Sequence, residues 1–195
     1  MRNYIEGRNV VPKPWDGVVW ADAKRLCPER PLPIYRYIPG QTPHPTRDPR
    51  GHSFTEAPHL STYGPWETCE AYRYGIDLYH YGYFWESHEA WEPLWRAAGR
   101  HTLEGVFLQS LILNSAALLK HRASNLRGAA HHGRAAWRLL RQAVQMKPAQ
   151  QVVLGVEVVP LTAAIESCYR HLWDTAAGTV PALDAAPKIL VTTVR

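Results

Sequence analysis

Tyr83-Phe84-Trp85-Glu86-Ser87-His88-Glu89-Ala90-Trp91-Glu92-Pro93-Leu94-Trp95-Arg96 decides how this chain is read, because it gathers three tryptophans, three carboxylates and a histidine in one helical pattern. At about 100° per residue, Phe84, His88, Trp91 and Trp95 share one stripe, and Glu89 and Glu92 continue round the same side. His88 thus falls inside the apolar face with Glu92 one turn on. An imidazole and a carboxylate held among tryptophans lose water, and desolvation beside a charged neighbour is what shifts a pKa or builds a metal site.

Working outward, Ala71, Tyr74, Gly75 and Leu78 form one face of a preceding helix over Glu67 to Tyr81, and Gly82 breaks it before the Tyr83 to Ala98 helix. Pro93 removes the hydrogen bond to the Glu89 carbonyl and predicts a kink. Leu103, Val106, Phe107, Ser110, Leu111, Asn114, Ala117 and Leu118 predict a buried helix over Leu103 to His121. After a turn at Arg122 to Ser124, Leu126, Ala130, Gly133, Trp137, Leu140 and Val144 step as an amphipathic helix that Pro148 ends. Val152 to Val159 reads as a short strand or a helix lead-in, Leu161 to Trp173 as a helix, and Lys188 to Val191 as an extended tail.

The segment before all this is different in kind. Residues 1–66 carry Pro28, Pro31, Pro33, Pro39, Pro43, Pro45, Pro49, Pro58 and Pro65, which forbid long helices. Trp15, Trp20, Tyr35, Tyr37 and Trp66 argue against a disordered linker, so an arm wrapped over the helical body is expected. The expected fold is therefore all-α, a small helical bundle with a proline-rich irregular N-terminal arm (1–66) packed on a core (67–147). Residues 148–195 complete the same domain.

A chain of 195 residues with 46% hydrophobic content suffices for one well-buried core. Three widely spaced cysteines, Cys27, Cys69 and Cys168, suggest neither a disulfide framework nor a thiolate zinc site, which fits a reducing cytoplasm. The start of the chain has no apolar signal core, and the apolar stretch near Leu111 is too short to span a bilayer. Net charge is +5 but segregated. From Glu56 to Glu92 seven acids face one base, Arg73, whereas between Glu104 and Glu157 there is no acid and seven bases, Lys120, Arg122, Arg127, Arg134, Arg138, Arg141 and Lys147. Two such blocks would attract each other, so internal pairing of Glu86, Glu89 and Glu92 with Arg127, Arg134 or Arg138 is one expectation. The basic helix matches no nucleic-acid-reading module, and its charge is better explained as solvated surface or pairing.

Glu89 and Glu92 are helix neighbours, and like charges so close call for a cation. A divalent metal ion held by His88 with Glu92 or Glu89 would supply it. His-Glu-x-x-Glu departs from the zincin pattern His-Glu-x-x-His, because Glu92 stands where the second histidine belongs. A second group lies in the arm, where the prolines and glycines of Pro39 to Ser53 impose a turn path on His44, Asp48 and His52. These three would bring further metal ligands, or a base, over the helix. Glu89 or Glu86 would then be the catalytic carboxylate of a metal-assisted hydrolysis. Gln109, Asn114 and His80 read as core polar groups, and His131 and His132 as outward charge.

Gly75-Ile76-Asp77-Leu78, Gly82-Tyr83-Phe84-Trp85-Glu86-Ser87-His88-Glu89-Ala90-Trp91-Glu92, Leu108-Gln109-Ser110-Leu111-Ile112 and Asn125-Leu126-Arg127-Gly128-Ala129, in that order, resemble the bacterial and archaeal family known as domain of unknown function 309. The resemblance covers about Tyr72 to Ala143 and implies a small all-helical bundle, without implying a reaction. Many members end the buried helix with a Tyr-His pair where this chain has Leu119-Lys120. The competing expectations are a divalent-metal-dependent hydrolase and a non-catalytic interaction or scaffold protein. The partner expected is a small molecule or another protein, with neither a nucleic acid nor a membrane.

Overall fold

The buried helix is the axis of the molecule. In the computed structural model, which describes residues 20, 23–55, 64–174 and 186–191, five helices follow one another: α1 (Glu70–His80), α2 (Phe84–Ala98), α3 (Leu103–Arg122), α4 (Leu126–Met146) and α5 (Val158–Asp174). A two-stranded antiparallel hairpin, β1 (Val152–Val153) and β2 (Val156–Glu157), precedes α5. α3 packs between α2 and α4, α1 lies on α2, and α5 lies on α4. The expected face of α3 is buried, but so are Leu108, Ile112 and Ser115 on its other sides, because helices cover it from two directions.

Local sequence explains most boundaries. Thr102 caps α3 by accepting from Gly105 N at 3.0 Å, and Asn125 caps α4 by accepting from Gly128 N at 2.9 Å. The stretch expected to start α1 at Glu67 instead forms a turn on the Pro65 carbonyl, bonded by the backbone N–H groups of Thr68 and Cys69. Val152 to Val159 resolves into both alternatives, a hairpin and then the first turn of α5. Its turn residues Leu154 and Gly155 have φ of 47° and 76°, as tight hairpin turns require. Pro160 falls in the first turn of α5, where its missing N–H costs no intrahelical bond. The tail joins the core, with Val191 bridging Val156 and Ile189 buried.

Polar groups in this core are matched in chains. Asn114, fully buried in α3, donates through Nδ2 to the Tyr79 hydroxyl at 2.8 Å and accepts from the Tyr169 hydroxyl at 2.9 Å. Tyr79 in turn donates to the Pro187 carbonyl at 2.7 Å. One buried amide thereby ties α1, α3, α5 and the tail, which is the arrangement in which burying an amide does not cost stability. Ser87 of α2 and Ser115 of α3 pair in the same way at 3.0 Å.

The arm is strapped to α1 and to the start of α2 by side chains bonding distant backbone. Asp77, 1% exposed, accepts from Leu26 N at 2.7 Å and Cys27 N at 2.8 Å, with Arg25 Nε at 3.5 Å. Burial pushes its carboxyl pKa up, opposed by those two backbone bonds and by Arg25. Tyr74 and Tyr83 hydroxyls donate to the carbonyls of Pro31 and Pro33, and Arg36 Nε to that of Tyr81. Trp20 donates its indole N–H to Ala186, closing the arm onto the tail. Trp15, Pro58 and the rest of residues 1–19, 21–22 and 56–63 lie outside the described residues.

Two glycines set helix spacing. A Cβ on Gly75 of α1 would stand 2.2 Å from Nε1 of Trp91, the fully buried tryptophan of α2 that donates to the Tyr72 carbonyl. A Cβ on Gly133 of α4 would meet the Tyr169 ring of α5 at 2.6 Å. Helix propensity alone would make Gly75→Ala stabilising by about 1 kcal/mol. The overlap with Trp91 outweighs that gain, and the expected result is a net loss of about 1–3 kcal/mol in urea unfolding, typical of overpacking. Unchanged or higher stability would show that α1 and α2 do not meet through this contact.

Candidate functional site

The three carboxylates of α2 go to three different environments. Glu86 points into the arm and is buried, with Oε1 accepting from Tyr37 N at 3.0 Å and lying 3.0 Å from His52 Nε2. Arg36 and Arg122 lie in the same electric field. Burial lowers the pKa of Arg36, and takes that of Arg122 down to about 10, with Glu86 opposing the shift in each. Glu86 Oε2 accepts no hydrogen bond among the described residues. This carboxylate is committed to fastening the arm.

Glu92, half-buried, pairs with Arg96 one turn on at 2.6 Å. Glu89 is exposed on the same side. Partial desolvation and the like charge of Glu92 raise its carboxyl pKa, against Arg96 and Arg47. His88, also half-buried, is held below the ordinary histidine range by burial, while Glu92 pulls the other way. Ligand atoms of His88, Glu89 and Glu92 all lie within 4.8 Å of one another. A neutral imidazole keeps its lone pair free, and two carboxylates beside it supply charge, so this set suits a divalent cation.

The arm residues expected to complete that set are elsewhere. His52 stacks against Tyr35 with ring centroids 4.7 Å apart and meets Glu86. His44 packs between Tyr37 and Trp85, at 5.1 and 5.3 Å, with Nδ1 turned to Thr46 N. Asp48 turns back on Arg50, through its backbone N–H at 2.9 Å and a salt bridge at 2.9 Å. That guanidinium takes its pKa down to about 2. None of the three is in the His88 group among the described residues. The prolines do fix the path of this loop, but they fix it against the start of α2, with His52 on Glu86, two residues before His88. From the arm, Arg47 acts on this group through its field at Glu89.

The expected pairing of the acidic with the basic block takes another form as well. Glu86 and Glu92 form their ion pairs with His52 and Arg96, not with Arg127, Arg134 or Arg138. Arg122 of the basic block shares the field of Glu86.

One residue expected to point outward does not. His131 is exposed, but His132 is half-buried, its Nδ1 covered and without a hydrogen bond among the described residues. Burial lowers its pKa, helped by His131, Lys120 and His88, so α4 and the end of α3 bring cationic groups toward the α2 site. The signal was present: His132 is three residues from Ala129 and four from Ala136, both fully buried.

Residues 72–132 match the family model of a domain of unknown function, DUF309. The matched segment runs from α1 into α4 and contains His88, Glu89, Glu92, Lys120 and His132, whereas the arm lies before it. No curated protein matches the chain. Among the described residues no helix is long and apolar enough to cross a membrane.

Depressed imidazole pKa values make the fold sensitive to acid. The unfolded chain takes up protons near the ordinary histidine value of 6.5, while His88 and His132 in the folded chain resist them. Metal-free protein should therefore lose stability as pH falls below about 6.5, until the folded-state values are reached. His132→Asn should flatten that slope in urea unfolding measured across pH. An unaltered slope would show that His132 is not held neutral by the fold.

Proposed function

We propose that His88 and Glu92 hold a divalent metal ion and that Glu89 beside them acts as base in a hydrolytic reaction. The observation that supports this most is the convergence of an imidazole and two carboxylates within 4.8 Å on one half-exposed helix face. An ion bound there would supply Lewis acidity and lower the pKa of a bound water. The rest is the work of the chain. Burial keeps His88 in its neutral, ligating form. Raising Glu89 brings its pKa closer to neutrality, where a carboxylate is a better proton acceptor. The Glu92–Arg96 pair is exposed enough to open, since such surface pairs contribute about 0.2–1 kcal/mol. Glu86 is withdrawn from the reaction by His52 and the Tyr37 N–H.

Titration calorimetry with Zn²⁺ or Mn²⁺ on the folded chain tests this reading. Near-stoichiometric binding is expected, with affinity reduced by at least tenfold in His88→Ala and Glu92→Ala while circular dichroism stays unchanged. Glu89→Gln should retain the metal and lose hydrolytic activity. Absence of saturable binding, or equal binding in His88→Ala, would overturn the metal site in favour of a non-catalytic role in which Glu92 serves only Arg96.

A further inference from the structure

On the α4 and α5 side lies a surface cleft of about 210 Å³, lined by Arg134, Trp137, Arg138, Glu166, Arg170 and Trp173. Three guanidinium groups and one carboxylate make its lining net positive. Its walls are built. Arg134 donates to the Trp173 carbonyl at 3.0 Å and sits 5.5 Å over the Trp173 ring, and Arg141 lies 4.8 Å over Trp137. The two indoles meet at 5.4 Å. Glu166 is bonded to Arg170, an exposed pair one turn apart.

Two features remain without use in the fold. The indole N–H groups of Trp137 and Trp173 are covered and make no hydrogen bond among the described residues. Being covered, they leave the ring surfaces and the guanidinium groups as the parts a ligand can reach. Arg138, exposed on the rim, forms no hydrogen bond or ion pair among the described residues. Guanidinium groups and flat aromatic surface together are the chemistry that recognises an anion joined to a planar ring. The volume bounds the size. Pockets for drug-sized ligands begin near 300 Å³, so this open cleft suits a small molecule seated against its wall rather than a peptide or a long polymer segment.

We propose that this cleft binds a small phosphate-bearing ligand with a flat ring, of the nucleoside monophosphate type, by Arg138 and Arg170 on the phosphate and the two indoles on the ring. The site is separate from the His88 group and stands whether or not that group holds a metal.

AMP is the probe, titrated calorimetrically into the full chain with a chelator present so that the α2 site is silent. AMP is expected to bind more tightly than either inorganic phosphate or adenosine. Arg138→Ala and Arg170→Ala should each weaken it about tenfold, the loss of one charge-assisted hydrogen bond, and both residues are exposed enough to leave the thermal transition in place. Glu166→Ala should act in the opposite direction, because it removes a like charge and frees Arg170. No saturable binding of AMP, AMP no tighter than inorganic phosphate, or an affinity unmoved by the arginine variants would each overturn the proposal.

Discussion

Burying Glu86 imposes a requirement that much of the architecture meets. A carboxylate at the start of α2 cannot leave water without compensation, because uncompensated burial of a charge costs several kcal/mol. His52 and the Tyr37 N–H supply direct contacts, and Arg36 and Arg122 supply field. Three of these groups come from the arm and one from the end of α3. The same demand thus seats the arm and brings the end of the central helix to the start of α2, where Arg122 also donates to the Gly82 carbonyl at 3.1 Å. Asp77 does for the first part of the arm what Glu86 does for the second.

This fastening divides the labour of the acidic helix. With Glu86 facing inward, Glu89 three residues on is exposed and Glu92 six residues on is half-buried, and His88 is half-buried beside them. The consequence is one carboxylate neutralised by the fold and two that share a face with an imidazole. Partial burial and then the like charge of Glu92 are costs that Arg96 and Arg47 only partly offset at Glu89, which is why its proton affinity rises and why a cation would be welcome there.

Periodicity carried the helices. The stripe Phe84, His88, Trp91, Trp95 and the buried side of α3 were legible because apolar residues at three- and four-residue steps have a single cheap solution, and Pro, Gly, Thr and Asn mark where it stops. The destinations of the arm were not legible. A bond from Asp77 to the backbone of Leu26, or from His52 to Glu86, joins residues tens of positions apart and leaves no period in the sequence. The histidines of the arm and of α2 looked like one set because both are imidazoles near carboxylates in sequence; the proline-shaped loop delivers His52 to Glu86, two residues before His88. His132 was hidden for a different reason. Its buried neighbours Ala129 and Ala136 are small, and the stripe read from the sequence ran instead through the larger Leu126, Trp137 and Val144, which are only half-buried; the small Gly133 is what allows Tyr169 to approach so closely.

The central claim is that His88 belongs to a ligand and His52 to the fold. Pulsed electron paramagnetic resonance on Mn²⁺-loaded protein reads it directly, since an imidazole nitrogen bound to the ion gives a nitrogen hyperfine coupling. That coupling should be present in the natural chain, persist in folded His52→Gln and vanish in His88→Gln. A coupling that survives in His88→Gln and is lost in His52→Gln would place the ion with the arm and contradict the account.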